Sequence, residues 1–309
     1  MKVSVCIITY NQDKYISQAV KSAVEQCVNF EYEVVIGDDC STDNTRNILL
    51  TFQAQYPDRV KLLLHDRNLG LKGKNNFVAT LKACRGKYVA LLEGDDYWTS
   101  TLKLQKQFDF LENHPDFAIC FHPTWCFYEN NDSKPYVFPN YDGKDVFTVY
   151  DLLKGNFMQT CSVMFRNKLF DEFPKWFYDI TLGDHILHLL NAHYGEIKCI
   201  EETMGAYRIH PGGIWSMQFK NDLDKYICEG IEALKNFDIY TDHQYKEEIK
   251  DVMFSQYMNL IQTIHNDKTQ RRQVMRKIRE ELPIHYMQWK AKMVLNTGRK
   301  VLKKLLLAN

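Results

Sequence analysis

The segment LLEGDDYW, Leu91 to Trp98, sets Glu93, Asp95 and Asp96 side by side at the end of an apolar run. Carboxylates this close repel one another, and either solvation in an open turn or a bound cation relieves the repulsion. A few hard oxygen donors suit Mg2+ or Mn2+, ions that keep waters and substrate phosphates in their coordination shell. Three more polar clusters follow apolar runs in the same way: Thr9-Tyr10-Asn11, Asp38-Asp39 and Asp66-Arg67. Farther on, Asp184 opens the segment GDHILHLLNAHYG, and YRIHPGGIWS carries Tyr207, Arg208, His210 and Trp215.

The elements that must position these groups alternate between two periodicities. KVSVCII (2–8), YEVVIGDD (32–39), VKLLLHD (60–66) and KYVALLE (87–93) read as strands. Between them lie helical segments at 12–26, after STDNT with Ser41 or Thr42 as cap, and up to about Cys84. Continuous rather than alternating apolar strands, joined by helices, predict a mostly parallel sheet covered on both faces. A helix is expected over 102–113, strand regions at 117–128 and 161–166, and a loop or short hairpin over the cleft at 129–150. In such sheets ligands bind beyond the carboxyl ends of the strands, where all four early clusters fall. From Asp222 onward the chain reads as helical, with a break at Pro283.

The first strand is followed by ITYNQDKY, without the glycines of a dinucleotide cradle, and no GxxxxGK[ST] loop occurs. A diphosphate bound here therefore needs another device, and a divalent cation on Asp95 or Asp96 supplies one.

VSVCIITYN, EVVIGDDCSTDNT, NLG and LEGDDYW, in this order and at these intervals, resemble the nucleotide-sugar-binding half of family 2 glycosyltransferases with the GT-A fold. GDH at 183–185 and YRIHPGGIWS at 207–216 are similar to the later acceptor-side and closing motifs of bacterial members. The resemblance implies an inverting transfer from a nucleotide-sugar donor, UDP foremost, to a saccharide or lipid-linked saccharide, as in capsule, O-antigen or exopolysaccharide synthesis. It implies that Tyr10 and Asp39 hold the base, with Thr9 and Asn11 beside them and Arg67 or a nearby Lys approaching the base or phosphates. It further implies Asp95 near the ribose, Asp96 on the metal, Asp184 as general base, and His210 with Arg208 closing over the diphosphate or metal. Glu93 departs from the family's usual Asp and is assigned a supporting role. Trp98, His185, Tyr207 and Trp215 are candidates for support or the acceptor site, or for core packing. Two rival readings stay open: a catalytically silent carbohydrate-binding or scaffold protein of this fold, and a nucleotidyltransferase.

The implied organisation is a catalytic domain over 1–218, with a donor half (1–100) and an acceptor half (101–218), then a helical region over 219–309. The 309 residues carry no net charge, yet 268–309 hold 12 Lys or Arg against Glu280 and Glu281, a net of +10 that the body offsets. The basic tail suits an anionic membrane surface, the acidic body or a second subunit. Nucleic-acid binding is excluded as a reading by the acidic body and the lack of a basic-aromatic platform. Nine scattered cysteines read as buried thiols of a reducing compartment, and neither a signal peptide nor a membrane-spanning run is visible. The expected location is cytoplasmic, with peripheral placement on the inner membrane face.

Overall fold

The computed structural model describes residues 1–129, 133–139, 143–213, 223–264 and 267–306, with side chains to Leu295. The chain divides into two compact units, 1–218 and 219–309.

The first unit begins with β1 (Val3–Thr9), β2 (Tyr32–Asp38), β3 (Val60–Leu64) and β4 (Tyr88–Glu93), all parallel. Helices α1 (Ile16–Val24), α2 (Thr45–Gln55) and α3 (Lys74–Ala83) connect them. β2 is buried along its whole length, which is why its sequence is a continuous apolar run rather than an alternating one. α1 turns Ile16, Ala19, Val20 and Ala23 into that core. Register then does the positioning. Thr9 sits opposite Asp38 on one side, and Ile8 sits opposite Glu93 on the other, so the polar clusters end at one level of the sheet. α3 approaches β2 closely because residue 37 is glycine: a Cβ there would lie 2.0 Å from the Thr80 hydroxyl.

The acceptor-side half adds β5 (Tyr97–Trp98), α4 (Lys103–Asn113), β6 (Phe117–Phe121), β7 (Thr124–Tyr128), β8 (Tyr136–Phe138) and β9 (Val146–Phe147). α5 (Val149–Leu153), β10 (Met164–Arg166), α6 (Gly183–Ala192), β11 (Glu196–Cys199) and β12 (Gly205–Ile209) follow. The main sheet runs β3-β2-β1-β4-β10-β6-β11-β9, with β10 antiparallel to both neighbours and β9 antiparallel to β11. A smaller sheet runs β5-β12-β7-β8. The mostly parallel α/β architecture expected from the sequence is the one observed.

Three local expectations differ. The strand region 117–128 is broken at His122-Pro123, because proline cannot donate to a ladder, and its halves join different sheets. The described part of 129–150 pairs in two places, β8 on β7 and β9 on β11. Six cysteines are buried free thiols, but Cys27 and Cys228 are exposed and Cys40 is partly so.

Beneath β5 lies a buried cation. The Lys103 ammonium sits 4.0 Å from the Trp98 ring centroid and has no hydrogen-bond partner among the described residues. Burial pushes its pKa down to about 7 from 10.5. The native state therefore binds this proton more weakly than the unfolded chain does, and folding is penalised whenever the solution pH favours the charged lysine. Lys103→Met should raise unfolding free energy by on the order of 2 kcal/mol at pH 6, after loss of the cation–π contact. The gain should shrink as pH rises from about 7 toward 10.5. Denaturant titrations at the two ends of that range check it; equal gains at both ends contradict the buried charge.

The second unit contains α7 (Leu223–Tyr240), α8 (Lys246–Thr263), α9 (Lys268–Glu281) and α10 (Pro283–Leu306). Ile231, Leu234, Phe237, Ile249, Met253, Tyr257, Leu260 and Ile278 are among its buried apolar residues. Asp267 caps α9 by accepting from the Thr269 and Gln270 backbone N–H groups, and Pro283 opens α10, where its missing N–H costs nothing. No described helix is long and apolar enough to cross a membrane.

Candidate active site

The first polar loop is stitched to the second. Asn11, in left-handed backbone at φ 52°, donates its N–H to Ser41 Oγ at 2.9 Å and accepts the Thr42 N–H on Oδ1 at 2.7 Å. Ser41 and Thr42 thus hold the β1–α1 loop, while Asp43 Oδ1 receives the Thr45 N–H at the start of α2. This corrects their expected capping role: the residue at the N-cap of α2 is Asn44. Thr9 is buried and donates to Gln12, whereas Tyr10 is 47% exposed beside it.

Asp38 and Asp39 are both buried but differ in use. Asp38 is neutralised by Arg46 at 2.7 Å. Asp39 receives only neutral donors in the described structure: its Oδ1 accepts the Leu69 N–H at 2.7 Å, while its carbonyl accepts Asn68 Nδ2. These bonds pin the 65–70 loop, on which exposed Arg67 lies, next to Asp39.

At the end of β4, one carboxylate oxygen each from Glu93, Asp95 and Asp96 lies within 4.8 Å of the others. The turn is tight because residue 94 is glycine; a Cβ there would sit 2.8 Å from Thr9 Oγ1 and 2.3 Å from Gln12 Oε1. Asp96 Oδ1 accepts the Arg208 N–H at 2.8 Å, but its buried Oδ2 meets the geometry of a hydrogen bond with none of the described residues, the Cys161 thiol lying near this carboxyl. Burial, then the Asp95 and Glu93 charges, push Asp96 well above the usual carboxylate range. Burial, Asp95 and Asp184 push Glu93 up to about 8. Three hard oxygen donors, crowded and with one orphaned oxygen, fit a divalent cation.

β12 closes the cluster from the other side. Arg208 Nε donates to the Asp95 carbonyl at 2.9 Å and Nη2 to Gln18 at 2.8 Å. Its guanidinium lies 4.7 Å from the Tyr15 ring, 5.0 Å from Phe127 and 5.7 Å from Tyr97. In this conformation Arg208 braces the acidic turn instead of offering its fork to a diphosphate. His210 Nε2 is 3.0 Å from Asp95 Oδ2, and the ring packs 4.9 Å from Tyr15. Burial, and then the Asp96, Glu93 and Asp95 charges, raise the Tyr207 hydroxyl's pKa, so the ring's hydroxyl feels the same cluster.

Asp184 stands in the first turn of α6. Its Oδ1 accepts the His185 N–H at 2.7 Å and Oδ2 accepts Asn156 Nδ2 at 2.9 Å. Its charge is felt at Glu93. The structure thus brings Asp184, Glu93, Asp95, Asp96, Tyr207 and His210 into one neighbourhood. Trp98 and His185 belong elsewhere. Trp98 is 4% exposed and donates to the Cys161 carbonyl at 2.8 Å; His185 Nε2 lies 2.7 Å from the Leu152 carbonyl in the packing of α6 on α5. Both are core residues and not a site wall, because β5 and the apolar face of α6 turn inward. Trp215 lies outside the described residues.

Tyr15, Gln18 and Glu129 are the bracing residues that sequence reasoning does not single out. Tyr15 donates to Glu129 at 2.5 Å, while its ring packs tilted against His210 and under Arg208. Its only signal is an apolar-aromatic position just ahead of α1, which periodicity assigns to packing.

The family model for glycosyl transferase family 2 matches residues 4–173, more than half of the chain. The chain belongs to glycosyl transferase family 2. An uncharacterized protein of Mycobacterium tuberculosis, Rv1520, is 41% identical to this family 2 chain over 254 residues, covering 80% of it and 71% of the relative. Among solved structures, Staphylococcus aureus TarS 1–349 in complex with UDP-GlcNAc aligns at 19% identity and TM-score 0.60, over 93% of this chain and 79% of the other. The mannosyltransferase PcManGT from Pyrobaculum calidifontis, in complex with GDP-Man and Mn2+, aligns at 14% identity and TM-score 0.53, over 94% and 83%. At these identities the likeness shows the fold, which is the GT-A fold.

Proposed function

We propose that this family 2 protein is an inverting, metal-dependent glycosyltransferase. It moves a hexosyl or N-acetylhexosaminyl group from a nucleotide-diphosphate donor, UDP-sugar foremost, to a hydroxyl of a saccharide or lipid-linked saccharide in surface-polysaccharide synthesis. The observation that carries the reading is the crowded carboxylate cluster of Glu93, Asp95 and Asp96, with the charge of a further carboxylate, Asp184, acting on Glu93. The nucleotide sugars bound by TarS and PcManGT, and the Mn2+ of the latter, support the donor class and the cation.

The chain's own residues divide the work. Asp39 and exposed Tyr10 receive the base, with Thr9, Asn11 and Arg67 on the loops around it. Asp95 and His210 lie toward the ribose and diphosphate. Asp96 and its neighbours would hold Mg2+ or Mn2+, which as a Lewis acid offsets charge developing on the departing diphosphate. Asp184 takes the proton from the acceptor hydroxyl as its oxygen bonds to the anomeric carbon and the bond from that carbon to the diphosphate breaks. General-base assistance of this kind contributes ~10²–10⁴-fold. Inversion needs only one displacement, so no protein nucleophile is required.

A thermal-shift panel of UDP-, GDP- and dTDP-sugars, with and without Mn2+, tests the reading. A UDP-sugar should raise the melting temperature, more so with Mn2+, since ligand at 100 times its Kd stabilises by about 2.7 kcal/mol. No shift with any donor would reject the transferase reading.

A further inference from the structure

The last helix offers a surface that the transfer chemistry does not use. α10 packs on its own unit through half-buried His285, Tyr286 and Trp289: His285 Nε2 is 2.7 Å from Asp251 on α8, and its ring lies 5.6 Å from that of Phe254. At 3.6 residues per turn, Ile284, Met287, Ala291, Val294 and Leu295 fall along a different stripe, away from Trp289. That stripe faces solvent. Ile284 is 66% exposed, Met287 64%, Val294 67% and Leu295 64%. Leaving four large apolar side chains in water is unfavourable, and together they form a continuous patch instead of scattered singles.

Lys290 and Lys292, both exposed, lie at the two edges of the stripe. In sequence the same spacing continues with Val301, Leu302, Leu305 and Leu306, interleaved with Arg299, Lys300, Lys303 and Lys304. The charge therefore sits beside the apolar stripe and not within it. Residues 268–309 together carry a net +10.

We infer that this stripe of α10 is a docking surface for an anionic lipid bilayer, on which the helix lies in the interface plane. Charge chooses the occupant. A second copy seated stripe to stripe would set the lysines of the two helices against one another, whereas acidic headgroups flank an inserted apolar stripe with the opposite charge. No described helix crosses a membrane, so the contact is peripheral.

Co-sedimentation of the full-length protein with vesicles tests this. The protein should pellet with vesicles of mixed phosphatidylglycerol and phosphatidylcholine, stay in solution with phosphatidylcholine alone, and be released by high salt. Val294→Asp combined with Leu295→Asp should abolish pelleting with an unchanged melting temperature, because both side chains are exposed. Lys290→Glu combined with Lys292→Glu should weaken it by roughly 25-fold or more, at about fivefold for each basic side chain removed. The inference is overturned if wild type ignores anionic vesicles, or if the aspartate double variant pellets as wild type does. A dimer mass by light scattering that the aspartate variant abolishes, without vesicle binding, would assign the stripe to a second copy and overturn it equally. The readout involves no donor or turnover, so it stands apart from the transferase reading.

Discussion

Asp96→Asn is expected to lower turnover by about 10³-fold or more, because withdrawing the leaving-group cation forfeits several kcal/mol at roughly tenfold per 1.4 kcal/mol. The substitution is nearly isosteric. Its amide oxygen can still accept the Arg208 N–H that Asp96 Oδ1 accepts at 2.8 Å, so β12 stays attached. What disappears is the buried Oδ2 that has no hydrogen-bond partner among the described residues, together with the cost of charging a carboxyl inside that cluster. The same variant should therefore melt at a higher temperature than wild type in the absence of divalent cations and show no further shift when Mn2+ is added. Differential scanning calorimetry with and without Mn2+ separates this from a purely structural role. A variant that melts lower and keeps the Mn2+ shift would remove Asp96 from the cation site.

Asp184→Asn should reduce turnover by ~10²–10⁴-fold, the usual contribution of a positioned base, while leaving donor affinity unchanged. Among the described residues Asp184 accepts hydrogen bonds from the His185 N–H and Asn156, so the amide fits its place with at most a local rearrangement at Asn156. Steady-state kinetics with the donor varied, paired with donor titration by calorimetry, measures both quantities. A loss confined to donor KM would place Asp184 in binding. Full turnover in the variant would leave the displacement without a base from this helix.

Much of this site is legible in the sequence for one reason. In a parallel sheet the strands end together, so polar residues that follow separate apolar runs must converge, and Thr9, Asp38 and Glu93 do so through the pairing register. The reading weakens where position depends on tertiary packing. Trp98 follows directly on the acidic turn, yet the two-residue strand β5 turns it under Lys103, and nothing local distinguishes that from a solvent-facing ring. His185 follows Asp184, but a helix rotates successive residues by about 100°, and that rotation takes it inward. Arg208 reads as a phosphate ligand by charge; its use as a brace depends on Gln18 and Tyr15, which come from the opposite end of the first unit's sequence. Pro123 does carry a signal for the strand break, since the missing N–H forbids a continuous ladder from 117 to 128.

The brace by Arg208 also bears on the order of assembly during synthesis. β1 to β4 are complete by residue 93 and β10 by residue 166, so most of the main sheet can form before β12 has left the ribosome. The acidic turn cannot be finished then. Its hydrogen bond from Arg208 spans 112 residues, the Asp95–His210 pair 115, and the Arg208–Gln18 bond 190. Loop closure over such distances is entropically late. Until residue 210 emerges, a nascent chain holds three crowded carboxylates with neither brace nor histidine, and the acidic cluster is completed only when β12 joins it.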